Sequence, residues 1–309
     1  NSIYNNLIDK KVLEKLNIDE LITALLTGYH LDDKIFTHPI PNLIFTRDIA
    51  VCIGKTILIT WSKKDVRKRE NILAKYLFTY YPVFKEMNIY DFHSHHFDLS
   101  IEGGDILVFD EKRICIGVSE RTPIESINQL APLFFNEGFE TIIAIELPKK
   151  RALMHLDTIF TRINNKEVLV FPPILDSNHL NTIYLYKNNN TEPKKIIKDL
   201  LTVLEDDGIK NTFIKCGSDS KIMQKREQWT DGANAFALSP GKIIGYDCNT
   251  HTIDELKNAG YIEITSEEYI NDYKEFNDST DKFIITLKGS ELSRGRGGPR
   301  CLTLPIFRI

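Results

Sequence analysis

Four short stretches hold the side chains in this chain that could do chemistry. Asp48 ends PNLIFTRD, Glu102 and Asp105 bracket the glycines of EGGD, His155 and Asp157 sit in HLDT, and Cys301 closes GRGGPRC. Taken singly, each has an ordinary reading. Asp48 pairs with its neighbour Arg47, and EGGD is a turn whose glycines supply the conformation. His155 is a satisfied core histidine among Ala152, Leu153, Met154 and Leu156, and Cys301 is a small buried hydrophobe. Position argues for more. The three acidic stretches each stand directly before an apolar two-stranded pattern, and Cys301 opens the last apolar run, which reads as a strand. In a radial arrangement of such units the strand ends converge, and side chains on rigid strand ends are well placed for catalysis.

Carboxylates gathered around a thiol raise its pKa and suppress the thiolate. Such a pocket makes sense if the substrate brings a positive charge. Paired acids hold a planar guanidinium by charge-assisted hydrogen bonds, and the bound cation then favours the thiolate. A histidine can protonate departing ammonia and afterwards activate water. A cysteine–histidine protease needs no acid cluster of this kind.

The elements that must position these groups recur along the chain. IAVCIGKTILIT, ILVFDEKRICIG, IFTRINNKEVLVF and FALSPGKIIGY each read as a hairpin. Helical patterns follow over residues 65–80, 123–137, 194–205 and 252–259, with Asp65 as an N-cap and Pro123 as a start signal. Short strands come next, over residues 88–91, 141–145, 212–215 and 261–264. A repeat of roughly 50 to 75 residues points to supersecondary modules set around an axis. Residues 12–26 read as a separate amphipathic helix, and KNNNTEPKK and NDSTDK as polar loops.

Composition excludes several classes. With 309 residues, 42% hydrophobic and 27% charged, the chain can bury a substantial core in one or two domains. A net charge of −4 disfavours a nucleic-acid partner, and the apolar runs are too short to span a bilayer. The N-terminus, NSIYNNLIDK, lacks an apolar signal segment. Five scattered cysteines without a C-x-x-C pair speak against a disulfide framework or a cysteine zinc site and for a reducing, cytoplasmic compartment. His93, His95 and His96 resemble a metal cluster but read as part of an exposed loop. Asn189-Asn190-Thr191 and Asn277-Asp278-Ser279 fit the glycosylation pattern in a chain with nothing else that suggests secretion.

Taken in order, PNLIFTRD, IEGGD, GVSERT, HLDTIFT and GRGGPRC resemble the arginine deiminases of the guanidino-group-modifying, or pentein, superfamily, from about Leu21 to the C-terminus. The resemblance implies an α/β fold, a five-module β/α propeller, and hydrolysis of L-arginine to L-citrulline and ammonia. It makes Cys301 the nucleophile and His155 the general acid and base. It sets Glu102, Asp48 and Asp157 on the guanidinium, with Glu102 also assisting proton transfer. It places Asn42 and Phe45 in the pocket wall, Asp105 behind the guanidinium-binding shell, and Arg67, Arg121 and Arg296 on the substrate α-carboxylate. The glycine-rich loop then acts as a gate that carries Arg296 over the substrate. No metal or organic cofactor is implied, and the expected partner is the small-molecule substrate, with neither nucleic acid nor membrane.

One departure from the family stands out. Its members carry a further N-terminal segment that supplies the first module, followed by a helical insertion, whereas this chain opens at Asn1 and only residues 12–28 resemble the end of that insertion. The expected organisation is therefore residues 1–30 as a remnant of the insertion and residues 31–309 as the catalytic propeller, its first module incomplete. A second copy of the chain and a separate N-terminal fragment remain open as partners. Agmatine deiminase and amidinotransferase are rivals within the superfamily, and the three arginines favour a substrate with a carboxylate. A non-catalytic arginine-binding protein on the same fold is the rival from another class.

Overall fold

The computed structural model describes residues 10–176, 180–188, 190 and 192–306. Two units are distinct: one holds the described residues up to Gly103 and those from Pro305 on, the other runs from Gly104 to Leu304.

The first unit opens with α1 (Lys10–Leu13) and α2 (Ile18–Thr27), then a short antiparallel ribbon of β1 (Tyr29–His30) and β2 (Asp33–Lys34). One helix was expected over residues 12–26, and two are found. The cause is a capping box: the Asn17 side chain accepts from the Glu20 N–H, and Glu20 accepts from the Asn17 N–H, each at 3.0 Å. Such a cap satisfies donors that a through-running helix would leave no reason to free. Next comes the first hairpin, β3 (Ala50–Ile53) and β4 (Thr56–Ile59), then α3 (Lys68–Tyr80), and β5 (Asn88–Asp91) parallel to β4. Every residue of β3 and β4 is buried, so these strands read as continuous apolar runs rather than alternating ones. The histidine triplet lies on and just after α4 (Phe92–His95), not on an open loop. The His93 ring stacks on Trp61 at 3.7 Å between centroids, and His96 contacts the Tyr90 hydroxyl at 3.2 Å.

The second unit repeats the hairpin–helix–strand pattern. Hairpin β6 (Ile106–Val108) and β7 (Arg113–Val118) leads through α5 (Ile124–Asn136) to β8 (Thr141–Glu146), parallel to β7. Hairpin β9 (Phe160–Asn164) and β10 (Glu167–Val170) is followed by an excursion, β11 (Asn181–Lys187) and β12 (Lys194–Lys198), which extends the previous sheet along β8. Only then do α6 (Leu200–Asp206) and β13 (Thr212–Lys215), parallel to β10, complete the module. The helix expected over residues 194–205 is thus half strand. The Asp199 carboxylate accepts the Thr202 N–H at 2.9 Å and starts the helix there. Residues 189 and 191 of the polar loop, and with them the first glycosylation pattern, lie outside the described residues, whereas Asn277 and Asp278 of the second end a helix.

After α7 (Lys221–Trp229) comes hairpin β14 (Phe236–Ser239) and β15 (Lys242–Tyr246), then α8 (Thr250–Asn258) and β16 (Tyr261–Thr265). Beyond α9 (Ser266–Asn271) and α10 (Tyr273–Asp278), β17 (Lys282–Leu287) inserts between β15 and β16, parallel to both. The burial of each strand explains the order. Four consecutive residues of β17 are buried, as a central strand requires, while β16 exposes Ile262 and Glu263 and suits the edge. The run after Cys301 does not form a strand. Turn bonds from Leu302 N–H to Gly298 O (3.3 Å) and from Thr303 N–H to Arg300 O (3.2 Å) hold it, and Pro305 has no N–H to give a ladder.

Candidate active site

Each hairpin is entered through a tight turn that ends in a buried polar side chain. In the first unit this is Asp48, in the 3-10 turn Thr46–Asp48 directly ahead of β3. Its carboxylate faces Arg67, which closes the turn leading into α3, with Nη1 to Oδ2 at 2.6 Å. The same guanidinium reaches Glu70 through Nε (3.0 Å) and Nη2 (2.8 Å), and Asn42 O at 3.4 Å. Burial works against a charge on Arg67, but Asp48, Glu70 and Glu102 outweigh it and hold the group above its ordinary pKa. Asn42 donates its N–H to Glu70 at 3.0 Å, and the half-turn from Asn42 O to Phe45 N–H (2.9 Å) seats Phe45 in the interior. Glu102 is fully buried and accepts the Lys63 N–H at 3.0 Å. The glycine after it is required, because a Cβ on Gly103 would lie 2.1 Å from Arg47 O. In this structure, then, the Arg67 guanidinium is engaged by protein carboxylates.

The second unit carries Cys301, the nucleophile that the sequence motifs imply. Asp105, one residue ahead of β6, accepts from Ser119 Oγ at 2.7 Å and from the Leu156 N–H at 3.0 Å. Burial pushes its carboxyl up to about 7, against the pull of His155 and of donors on Ser119, Thr122 and Leu156. Leu156 lies between His155 and Asp157, so this bond fixes the segment that bears both. Packing fixes it again: Leu156 and Ile159 belong to one buried cluster with Leu107, Ile143, Phe160 and Val168. His155 and Asp157 are buried at the turn before β9. Asp157 Oδ2 stands 4.0 Å from the Cys301 sulfur and 3.4 Å from Nε of Arg300. Arg300 also donates to Ile106 O at 3.2 Å. Burial draws its pKa down while Asp157 and Cys301 draw it up.

Arg296 lies in the left-handed region (φ 62°) and folds inward. It rests 4.3 Å from the Trp229 ring centroid and donates to Ala152 O at 3.0 Å, to Gln228 O at 3.4 Å and to Trp229 O. Asp231 is 4.0 Å away. Gly297 O accepts from the Tyr246 hydroxyl at 2.8 Å, which ties the glycine-rich loop to the body of the unit. Arg121 is half-buried, with Nε 3.0 Å from Glu120. Among the other thiols, burial pushes Cys216 up to about 12 and raises Cys115 and Cys248 as well. Cys301 has its sulfur 4.0 Å from Asp157 Oδ2, the oxygen that Arg300 Nε also approaches.

Three residues of this unit escaped the sequence reading: Arg300, Asp231 and Asn234. The last two belong to DGAN, which precedes the FALSPGKIIGY hairpin as Asp48, Asp105 and Asp157 precede theirs. That shared position was the available signal.

Comparison with known proteins agrees with this chemistry. The chain matches the arginine deiminase family over residues 4–308. Arginine deiminase of Listeria monocytogenes serovar 1/2a is 37% identical over 314 residues, 94% of this chain and 71% of that protein. Arginine deiminase of Borreliella afzelii is 35% identical, with 97% and 73% covered. Among solved structures, the N-terminal domain of ArgZ covalently bound to a reaction intermediate superposes with a TM-score of 0.59 at 17% identity, covering 87% of this chain and 77% of that one. Dimethylarginine dimethylaminohydrolase gives 0.55 at 16%, with 85% and 76% covered. Those structures share the fold alone, and the sequence match sets the finer grouping: the chain belongs to the arginine deiminase family.

Proposed function

We propose that the chain hydrolyses L-arginine to L-citrulline and ammonia through a covalent intermediate on Cys301. The Cys301 thiolate attacks the guanidinium carbon. The tetrahedral adduct collapses as His155 gives a proton to the departing nitrogen, and ammonia leaves. A thiouronium remains, its positive charge held by carboxylates. Water that loses one proton to His155 adds to the same carbon, the C–S bond breaks, the hydroxyl proton passes through solvent to the released ammonia, and citrulline departs with the thiolate restored. Attack by a positioned nucleophile beside a general acid and base splits one difficult displacement into two easier ones.

The observation that carries this reading is Asp157, which faces the Cys301 sulfur at 4.0 Å while already holding a guanidinium, that of Arg300, at 3.4 Å. The motif match assigns Asp48 and Glu102 to the substrate guanidinium as well, with Glu102 assisting proton transfer and Asn42 and Phe45 lining the pocket. Asp105 acts behind them, through the segment that bears His155 and Asp157. Arg121 and Arg296 are assigned to the α-carboxylate, and Arg67 with them once it exchanges its carboxylate partners. The repeated hairpin–helix–strand unit supports reading the fold as modules of a five-part β/α propeller, and the scattered thiols support a cytoplasmic setting. Among the described residues, no helix is long and apolar enough to cross a membrane. Incubation with arginine, assayed for citrulline and ammonia in parent and Cys301→Ala, tests the proposal. Citrulline formed equally by both would overturn it.

A further inference from the structure

Asn234 is fully buried in the turn before β14, and each polar group of its side chain meets the catalytic segments. Nδ2 donates to Asp157 O at 2.9 Å, and Oδ1 accepts the Cys301 N–H at 3.2 Å. The partners are a backbone carbonyl and a backbone amide, whose roles are fixed, so the orientation of the carboxamide is fixed too. Its own backbone carbonyl lies 3.5 Å from the Arg300 N–H, and its N–H donates to Asp231 O at 3.0 Å. One side chain therefore fastens the residue that faces the thiol and the residue that carries it.

The chemistry of the bridge selects asparagine. It needs a donor and an acceptor on one short stem. Aspartate offers no donor, leucine offers neither, and glutamine is one methylene too long for a fully buried slot. The glycine-rich loop is shaped around it. A Cβ on Gly298 would come within 2.5 Å of Asn234 Oδ1 and 2.7 Å of its Cβ, so the loop closes over the carboxamide only because residue 298 is glycine.

We propose that Asn234 is a positioning residue for the nucleophile: it holds the Cys301 sulfur in line for attack by clamping its amide to the Asp157 backbone. The inference rests on the deiminase reading above. Misplacing a nucleophile by about 1 Å costs on the order of a hundredfold in rate. Binding of the substrate should feel little of this, because Asn234 contacts the backbone behind the reacting groups.

The test measures kcat and KM for arginine in parent, Asn234→Ala, Asn234→Asp and Gly298→Ala, with the pH dependence of Cys301 alkylation by iodoacetamide. Asn234→Ala is expected to lose about a hundredfold in kcat with KM within about threefold of parent. Asn234→Asp keeps the acceptor but sets a negative charge near the thiol. Its alkylation profile should therefore shift to higher pH, a change that loss of packing alone would not give. Gly298→Ala displaces the carboxamide without altering it and should repeat the kcat loss, which decides the matter if Asn234→Ala does not fold. A kcat within about threefold of parent in both Asn234→Ala and Gly298→Ala overturns the inference, as does a fall in kcat matched by an equal rise in KM. A parent that makes no citrulline overturns the deiminase reading and this inference with it, whereas an active parent with unchanged variants overturns the inference alone.

Discussion

Arg300 and Asp157 form an ion pair in the interior, Nε 3.4 Å from Oδ2, and the residue after Arg300 is Cys301, the proposed nucleophile. Two buried charges stabilise little beyond a well-packed apolar pair, but removing one strands the other, at about 3–5 kcal/mol. Arg300→Met is expected to lower the unfolding free energy in urea by that amount. Arg300→Met with Asp157→Asn should recover most of the loss, because no charge is then left alone. The cation also favours the neighbouring thiolate, so iodoacetamide should reach Cys301 of Arg300→Met only at higher pH. A single variant as stable as the parent would show that the pair is not coupled.

In the proposed mechanism, loss of Cys301 removes the covalent route itself, not one contact on it. In a triad hydrolase the comparable loss is roughly a millionfold in kcat. Parent enzyme mixed with arginine and quenched in acid should show a mass adduct on the peptide bearing Cys301. Cys301→Ala should show neither adduct nor turnover. An adduct found on Cys216 or Cys248 instead would move the nucleophile elsewhere.

What the sequence made legible was local. The hairpins, the helices after them and the parallel strands could be found from period and turn residues, and Asp48, Asp105 and Asp157 from their shared place ahead of the hairpins. What it hid depended on distant partners. β17 takes the central position beside β15 because it is buried on both faces, a property set by the strands it meets. The helical period over residues 194–205 ran through Asp199, where a cap divides strand from helix. Asn234 occupies the fourth hairpin entry without a charge to draw notice, and its meaning appears only when Asp157 and Cys301 are seen on either side of it.

The arginines assigned to the α-carboxylate make a sharper claim about substrate choice. Arg121→Ala should cost about 1.5 to 3 kcal/mol in transition-state binding of arginine, or roughly ten- to a hundredfold in kcat/KM. Agmatine lacks the carboxylate and should lose far less. Steady-state rates on both substrates decide this, and an unchanged ratio of arginine to agmatine would remove Arg121 from the carboxylate site. Arg296→Ala should behave likewise, with an added loss of stability from its contacts to Trp229 and Ala152.

Asp231 supplies a prediction in pH. Its carboxylate is buried at φ 62°, and among the described residues neither oxygen has a hydrogen bond. Burial raises its pKa from 3.8 to about 7, with Arg296 pulling it down and Asp157 pushing it up. The titrating neighbours Cys216, Cys248 and Tyr246 are themselves shifted upward, away from neutrality. Below about pH 4 both folded and unfolded chains hold the proton, and the group contributes nothing. As pH rises toward 7 the unfolded chain gives up the proton first. The folded chain binds more protons over that interval, so stability falls with rising pH and the loss is complete above the folded pKa. Asp231→Asn keeps the shape, tolerates the left-handed backbone and does not ionise, so unfolding alone reports the proton. Urea unfolding at pH 5 and pH 8 should show the parent losing roughly 2–4 kcal/mol that Asp231→Asn retains. Parallel stabilities across that interval would mean that Asp231 is ionised in the folded protein and that Arg296, at 4.0 Å, compensates its charge in full.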